Sequence, residues 1–208
     1  MVRVDLHVHS SASFDCPVEP EQVAARCRRL GLSPVFVTDH DTVAGALRLS
    51  TTERVVVGEE VTTTAGELIG LFLKEEVPAG LTPKEAAIRI KSQGGLIYVE
   101  HPYDPFRRHL SEEAIEALSE LIDIVEVFNG RSDDKANRLA EDLCGALGAA
   151  PGAGSDSHST KELGTVYVEM EDFEGAEDFL VKLRGGKIVK RRAKLLLIAE
   201  AALKRRRR

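Results

Sequence analysis

The sequence has no tryptophan, two methionines, three tyrosines and seven phenylalanines, so aromatic residues make up only 5% of its 208 positions. Few aromatics remain for stacking bases, which gives limited support to a dedicated nucleic-acid module. Cysteine is scarce as well: Cys16, Cys27 and Cys144 are odd in number, widely spaced and form no CxxC pair. That pattern argues against a disulfide framework and a thiolate zinc knuckle, and leaves reduced thiols in or near a core. No apolar run approaches the roughly 18 residues needed to cross a bilayer, and Met1 runs straight into a strand pattern with no charged-then-apolar leader. A cytoplasmic protein without a membrane partner is expected. Internal repeats, low-complexity inserts and breaks in composition are also missing, which excludes solenoids and a marked second domain.

What is present is an ordinary apolar fraction of 43%, enough for one core. Charge is unevenly spread. Residues 187–208 hold 10 of the 28 basic residues and a single acid, Glu200, so that stretch carries +9 while residues 1–186 carry −15. The expected organisation is a single domain over residues 1–186 with residues 187–208 attached as a basic C-terminal helix or tail. An acidic body suits a site that collects metal cations; the basic tail either contacts the phosphates of a short nucleic acid or solvates a terminal helix.

Short β-branched runs stand between helical patterns: VRVDLHVH, PVFVTDH, RVVVGEEV, ELIGLFL, GLIYVEH, DIVEVFN, GAAPGAGSD and GTVYVEM. One helix is expected from about Pro20 to Leu30, ended by Gly31, and another from Pro83 to Gln93 with Thr82 as N-cap and Glu85 as the capping-box acid. Ser111 is expected to cap a third, and Ser132 or Asp133 a fourth that ends near Gly148. Such βα repetition implies an α/β fold with a largely parallel sheet, open or closed into a barrel.

In VRVDLHVH, period two puts His7 and His9 on one face of a strand. An isolated His-x-His pair can be two hydrogen-bonded residues or half a metal site. The other histidines decide between these readings, because His40, His101 and His158 also fall at expected carboxyl ends of strands, where a parallel barrel builds its site; only His109 does not. Asp15, Asp39, Asp41, Glu59, Glu60 and Asp156 accompany them. Histidines and carboxylates without thiolates suit Zn²⁺, Mn²⁺ or Fe²⁺, and the set exceeds what one ion can use, so two or three divalent ions are implied. Asp39, Asp41 and Asp5 are read as caps or as partners that orient metal-bound histidines.

Four ordered motifs, DLHVHSSASFD, VTDHDTVAG, the GEE at Gly58 to Glu60, and EHPYD followed by GSDSH, resemble those of the PHP domain (polymerase and histidinol phosphatase) metal-dependent phosphoesterases. The resemblance spans most of the chain. It implies a distorted (β/α)7 barrel, similar to a TIM barrel, that hydrolyses phosphoesters with metal-activated hydroxide. By matching position, His7, His9, Glu60 and Asp156 are implied as ligands of a first metal, Glu60 and His101 of a second, and Asp15, His40 and His158 of a third. Motif register favours Glu60 over Glu59.

Two residues depart from the family pattern. Many relatives have a histidine ligand where this sequence has Glu67, which either replaces it with a harder ligand or points away. Glu100 stands where an apolar residue or proline is common, and is read as a solvated side chain on the face opposite His101. His40 or His158, if not committed to metal, is the candidate proton donor to the leaving group. Arg107, Arg108, Arg131 and Asn129 lie at the same expected end and are candidates for holding substrate phosphate. The expected substrate is a small phosphomonoester, a nucleotide or nucleotide bisphosphate. A 5′ to 3′ exonuclease on short RNA or DNA, and a metal-binding module that has lost catalysis, are the alternatives.

Overall fold

The computed structural model describes residues 1–190. Within them the chain forms β1 (Val2–Val4), α1 (Pro20–Leu30), β2 (Val35–His40), α2 (Ala44–Leu49), β3 (Val55–Thr63), β4 (Gly66–Leu71), α3 (Pro83–Ser92), β5 (Leu96–Val99), α4 (Glu112–Ala117), β6 (Ile124–Asn129), α5 (Asp134–Leu147), β7 (Ala150–Gly154), β8 (Val166–Met170), α6 (Gly175–Leu183) and β9 (Lys187–Lys190). Helix ends follow local chemistry. Gly31 and Gly148 close α1 and α5 in the left-handed conformation, and Thr82 and Glu85 form a reciprocal capping box on α3. Ser111 caps α4, and Asp133 caps α5 by accepting from the Ala136 amide at 2.7 Å. Ser132 does not cap; its hydroxyl donates to Asp104.

Strands β2 to β7 form one six-stranded sheet in chain order. Its pairs are parallel except where β4 runs antiparallel to both β3 and β5. The largely parallel sheet expected from the repeated βα pattern is therefore interrupted, because β3 turns into β4 through a tight hairpin at Thr64 and Ala65. Gly66, at φ +109°, makes that hairpin possible: a side chain there would run into the backbone of His109.

Residues 5–9 close the sheet. The Leu6 amide donates to Ala153 and the Asp156 amide to His7, while the Thr38 amide donates to Val8, so this segment lies between β7 and β2. With it, the sheet becomes a distorted seven-stranded barrel. A second sheet, ordered β1-β8-β9, joins the start of the chain to its later part. Lys187–Lys190, read from sequence as the beginning of the tail, are the strand β9 on β8. The remainder of the basic stretch, residues 191–208, lies outside the described residues.

The barrel's filling sets the position of the site. Phe36, Val56, Ile69, Tyr98 and Ile124 are buried together in one apolar cluster. Period two from these positions leads to His40, Glu60, Glu67, Glu100 and Glu126, so a polar layer sits directly on the apolar one. The opposite faces of the strands pack under helices: Val35 and Val37 cluster with Val23 and Cys27 of α1, and Ile97, Val99 and Val125 with residues of α3 to α5. Each such Leu, Ile or Val contributes about 1.5–3 kcal/mol on burial, which holds the barrel while its mouth is filled with ionisable groups. All three cysteines are free and buried. No helix of the described residues is long and apolar enough to cross a membrane.

Candidate metal centre

Glu60, at the mouth end of β3, is the hub. Its Oε2 lies 3.1 Å from His7 Nε2, 3.2 Å from His9 Nε2 and 3.7 Å from His40 Nε2, and its Oε1 lies 3.6 Å from His101 Nε2. The Nε2 atoms of His7 and His9, two residues apart on one face of the chain, converge to 3.1 Å. Gly154 lets His7 into this position, since a Cβ on residue 154 would sit 2.3 Å from that of His7. Glu59 points the other way and accepts from the Val77 amide at 2.8 Å.

The remaining residues complete overlapping sets whose ligand atoms all lie within 4.8 Å of one another. One is His7, His9 and Glu60; a second is His7, His101 and Asp156; a third is His9, Asp15, His40 and His158. A fourth brings Glu67 together with His40 and Glu60, and a fifth joins Glu60, Glu100 and His101. All nine residues read from sequence as candidate ligands thus meet at one mouth. Glu67 points inward, because β4 is antiparallel and its amino end comes to that mouth; Thr62 donates to it at 3.3 Å. Three non-glycine residues at the mouth, Asp41, His101 and Asp156, adopt positive φ of 52°, 27° and 51°. Such strain concentrates where side-chain placement outweighs backbone comfort.

The partners that orient the histidines are not those expected. Asp5 accepts from Ser155 and Gly164, Asp39 from Ser10, and Asp41 from the Thr62 amide. These carboxylates tie loops together and touch no histidine ring. Glu126, singled out by no motif, does so instead: its Oε1 meets His7 Nδ1 at 3.2 Å, which fixes the ring so that Nε2 faces Glu60. Glu100, read as solvated, is fully buried.

Electrostatics at the mouth run against ordinary values. Burial disfavours a charged His7, but Asp156, Glu126 and Glu60 outweigh it and hold the ring's pKa well above the usual range. His40 is raised to about 9: burial lowers it, while Glu60 and Asp15 more than compensate. His158 is lowered to about 4 by burial and by His9. Burial would raise Asp156, yet Arg107, His7 and Arg131 hold it well below the carboxylate range. Glu100 is pushed well above that range by burial and by Glu60.

Converging imidazoles and carboxylates of this kind suit divalent Zn²⁺, Mn²⁺ or Fe²⁺. Both oxygens of Glu100 are buried without a hydrogen-bond partner among the described residues, which fits a centre built for cations. A cavity of about 230 Å³ opens onto it, lined by Asp15, His40, Glu60, Glu67, His101, Asp156 and His158 with Arg107, Arg108 and Arg131. Arg107 is paired with Asp156 and Asn129, and Arg131 reaches His158 Nδ1 at 2.6 Å. Arg108 is more exposed, 3.8 Å from Glu67. Asn129 does not line the cavity; it is buried beneath it, donating to Glu126 at 2.9 Å and Asp156 at 3.3 Å. Two exposed rings, Phe14 (76%) and Phe106 (92%), complete the wall.

Comparison with known proteins bears on this geometry. The model of the PHP domain matches residues 5–131, and that of the PHP-associated region matches residues 134–188. The uncharacterized protein MJ0417 of Methanocaldococcus jannaschii is 33% identical over 211 aligned positions, covering 94% of this chain and 85% of its own. Among solved structures, a two-domain protein of Bacteroides vulgatus containing a predicted PHP-like metal-dependent phosphoesterase superposes with a TM-score of 0.70 at 18% identity. It is covered over 64% of its length by 91% of this chain. The lesion-specific endonuclease PfuEndoQ of Pyrococcus furiosus gives 0.63 at 18% identity, with 90% of this chain on 57% of that one.

Proposed function

The chain belongs to the PHP domain family, and from that premise we propose that it is a metal-dependent hydrolase of phosphomonoesters, acting on nucleotides or nucleotide bisphosphates. The observation that carries this reading is Glu60 ringed by His7, His9, His40 and His101 within 3.7 Å, in a cavity that three arginines also line.

His7, His9, Glu60 and Asp156 would hold one ion, Glu60, Glu67 and His101 a second, and Asp15, His40 and His158 a third. Bound ions supply an activated water and neutralise charge on the phosphoryl group during in-line displacement. The chain's own residues do the rest. Glu126 and Asn129, from below, fix His7 and Asp156. Arg107, Arg108 and Arg131 present donors to phosphate oxygens, where a guanidinium binds two at once. Of the two candidate proton donors, His40 is raised to about 9 by Glu60 and Asp15 in the metal-free protein, and His158 is lowered to about 4 by burial and His9. His40 is therefore the group that protonates the leaving oxygen wherever it is not committed to an ion.

A second reading, a 5′ to 3′ exonuclease on short RNA or DNA, is favoured by Phe14 and Phe106, exposed at the cavity where successive bases can stack. One experiment separates the readings. Protein of measured metal content is assayed for phosphate or nucleotide release from nucleotides, bisphosphates and 5′-phosphorylated oligonucleotides, with and without Mn²⁺. Turnover of mononucleotides is expected; preference for oligonucleotides selects the nuclease. In that case removing residues 204–208 abolishes salt-sensitive oligonucleotide binding. No turnover of any phosphoester by metal-replete protein leaves a metal-binding module without catalysis.

A further inference from the structure

Glu100 has no part in the ligand sets proposed above, yet it is the most anomalous acid among the described residues. Other buried carboxylates have donors: Asp5 takes three, Asp39 two, and Glu126 is met by Tyr98, Asn129 and the His101 amide. Glu59 and Glu162 each leave one oxygen without a hydrogen bond, that of Glu162 lying 3.9 Å from Arg131 Nε, but Glu100 leaves both. Its exposure is 0%. The one donor that favours its carboxylate is its own backbone amide, which makes no hydrogen bond of normal geometry; a buried carboxylate so placed is strongly disfavoured, and a neutral carboxyl would equally need an acceptor for its proton. Packing does not require an acid here, since Tyr98, two residues earlier on the same face, is well accommodated in the apolar layer. What lies within reach of Glu100 is the centre itself: its ligand atom and those of Glu60 and His101 are all within 4.8 Å of one another.

We infer that Glu100 is a direct ligand of the ion that Glu60 and His101 share, an inference that rests on the reading of the mouth as a metal cluster. Its donors would then be Glu60, Glu100 and His101, whose ligand atoms lie within 4.8 Å of one another, with the Glu67 already assigned to it as a further carboxylate. Carboxylate oxygens dominate that set, in contrast to the imidazoles around His7 and His9. Oxygen donors suit Mn²⁺ and Fe²⁺, so the two ions differ in kind, the harder one on the Glu100 side.

The test is Mn²⁺ binding to the full chain after chelator treatment. Free Mn²⁺ is read by electron paramagnetic resonance and bound metal per chain by elemental analysis, for the wild type and Glu100→Gln. The variant is expected to lose one Mn²⁺ per chain, or to bind it at least about tenfold more weakly, while keeping the other ions. Its metal-free form is expected to melt no lower than the metal-free wild type, because an unpartnered buried acid has been removed. Equal stoichiometry and equal affinity in the two proteins would overturn the inference and leave the phosphoesterase reading standing. A wild type that binds no divalent ion would instead remove the cluster on which both depend. If Glu100→Gln does not fold, Glu100→Asp serves, since it keeps the charge but draws the oxygens back by one methylene. Loss of the ion supports direct ligation, and unchanged binding overturns it.

Discussion

Glu126 receives the Tyr98 hydroxyl, the Asn129 amide and the His101 backbone amide, and faces His7 Nδ1, all without exposure to water. Such a carboxylate acts on a metal through the ring it orients. Replacing it with glutamine keeps the shape but removes the charge that favours an Nδ1–H tautomer of His7. Glu126→Gln is therefore expected to weaken metal binding by about 10–100-fold. Undiminished metal affinity would show that His7 does not depend on this partner. A second prediction concerns protons. With His40 raised to about 9, its ring is protonated at neutral pH in the metal-free protein, and Asp156, Glu126 and Glu60 shift His7 in the same direction. A ring must be neutral to ligate, so ion uptake releases protons, and apparent affinity should rise as pH climbs from about 6 towards 9. Calorimetry of Mn²⁺ binding in two buffers of different ionisation enthalpy measures the release at pH 7; buffer-independent heats would contradict it.

Elements explain which of these residues could be recognised before the fold was known. Period two paired His7 with His9, strand ends gathered His40, His101 and His158, and capping residues marked α1, α3, α4 and α5. The same rule misplaced Glu100, because it was counted from His101. Inward register on β5 belongs to Tyr98 and Glu100; His101 joins the site only because its backbone turns to φ 27°. Alternation cannot foresee such a turn. The direction of β4 was hidden as well, since TTTAGE has no Asn-Gly or Asp-Gly signal, and the hairpin depends on the close approach of Gly66 to His109. Helix α2 begins at Val43 without a side-chain cap, and β9 lay within a run read only for its charge. Glu126 escaped notice because one acid in an otherwise apolar strand carries no motif. The register that places His7 leaves one clear point of attack. Gly154→Ala would drive a methyl into the His7 Cβ and the Glu126 carboxylate. Relief of that clash should cost about 1–3 kcal/mol of stability and lower metal content together with it, both measurable by thermal melting and elemental analysis. A variant with unchanged melting and metal content would mean that His7 can shift without consequence.

At the scale of the molecule, the candidate centre joins parts of the chain that are far apart in sequence. Its donors come from residues 7–15, from β2, from the β3–β4 hairpin, from the end of β5 and from residues 156–158. The same first segment closes the barrel between β2 and β7 through backbone bonds. Ions at the mouth would therefore bridge the seam of the barrel, and unfolding must release them. A ligand that binds only the folded state at about 100 times its dissociation constant adds about 2.7 kcal/mol. For a chain of this size, about 1 kcal/mol corresponds to about 2–4 °C in melting temperature. Stripping the ions with a chelator should then lower the melting point by about 5–11 °C, and excess Mn²⁺ should restore it. The acids of the mouth give this prediction its sign: carboxylates and imidazoles that meet within 4 Å of Glu60 are held there against burial, and a cation relieves part of that cost. If melting is the same with and without chelator in protein shown to bind Mn²⁺, the ions do not bridge the seam. The barrel would then be held by its apolar lower layer and its helices alone.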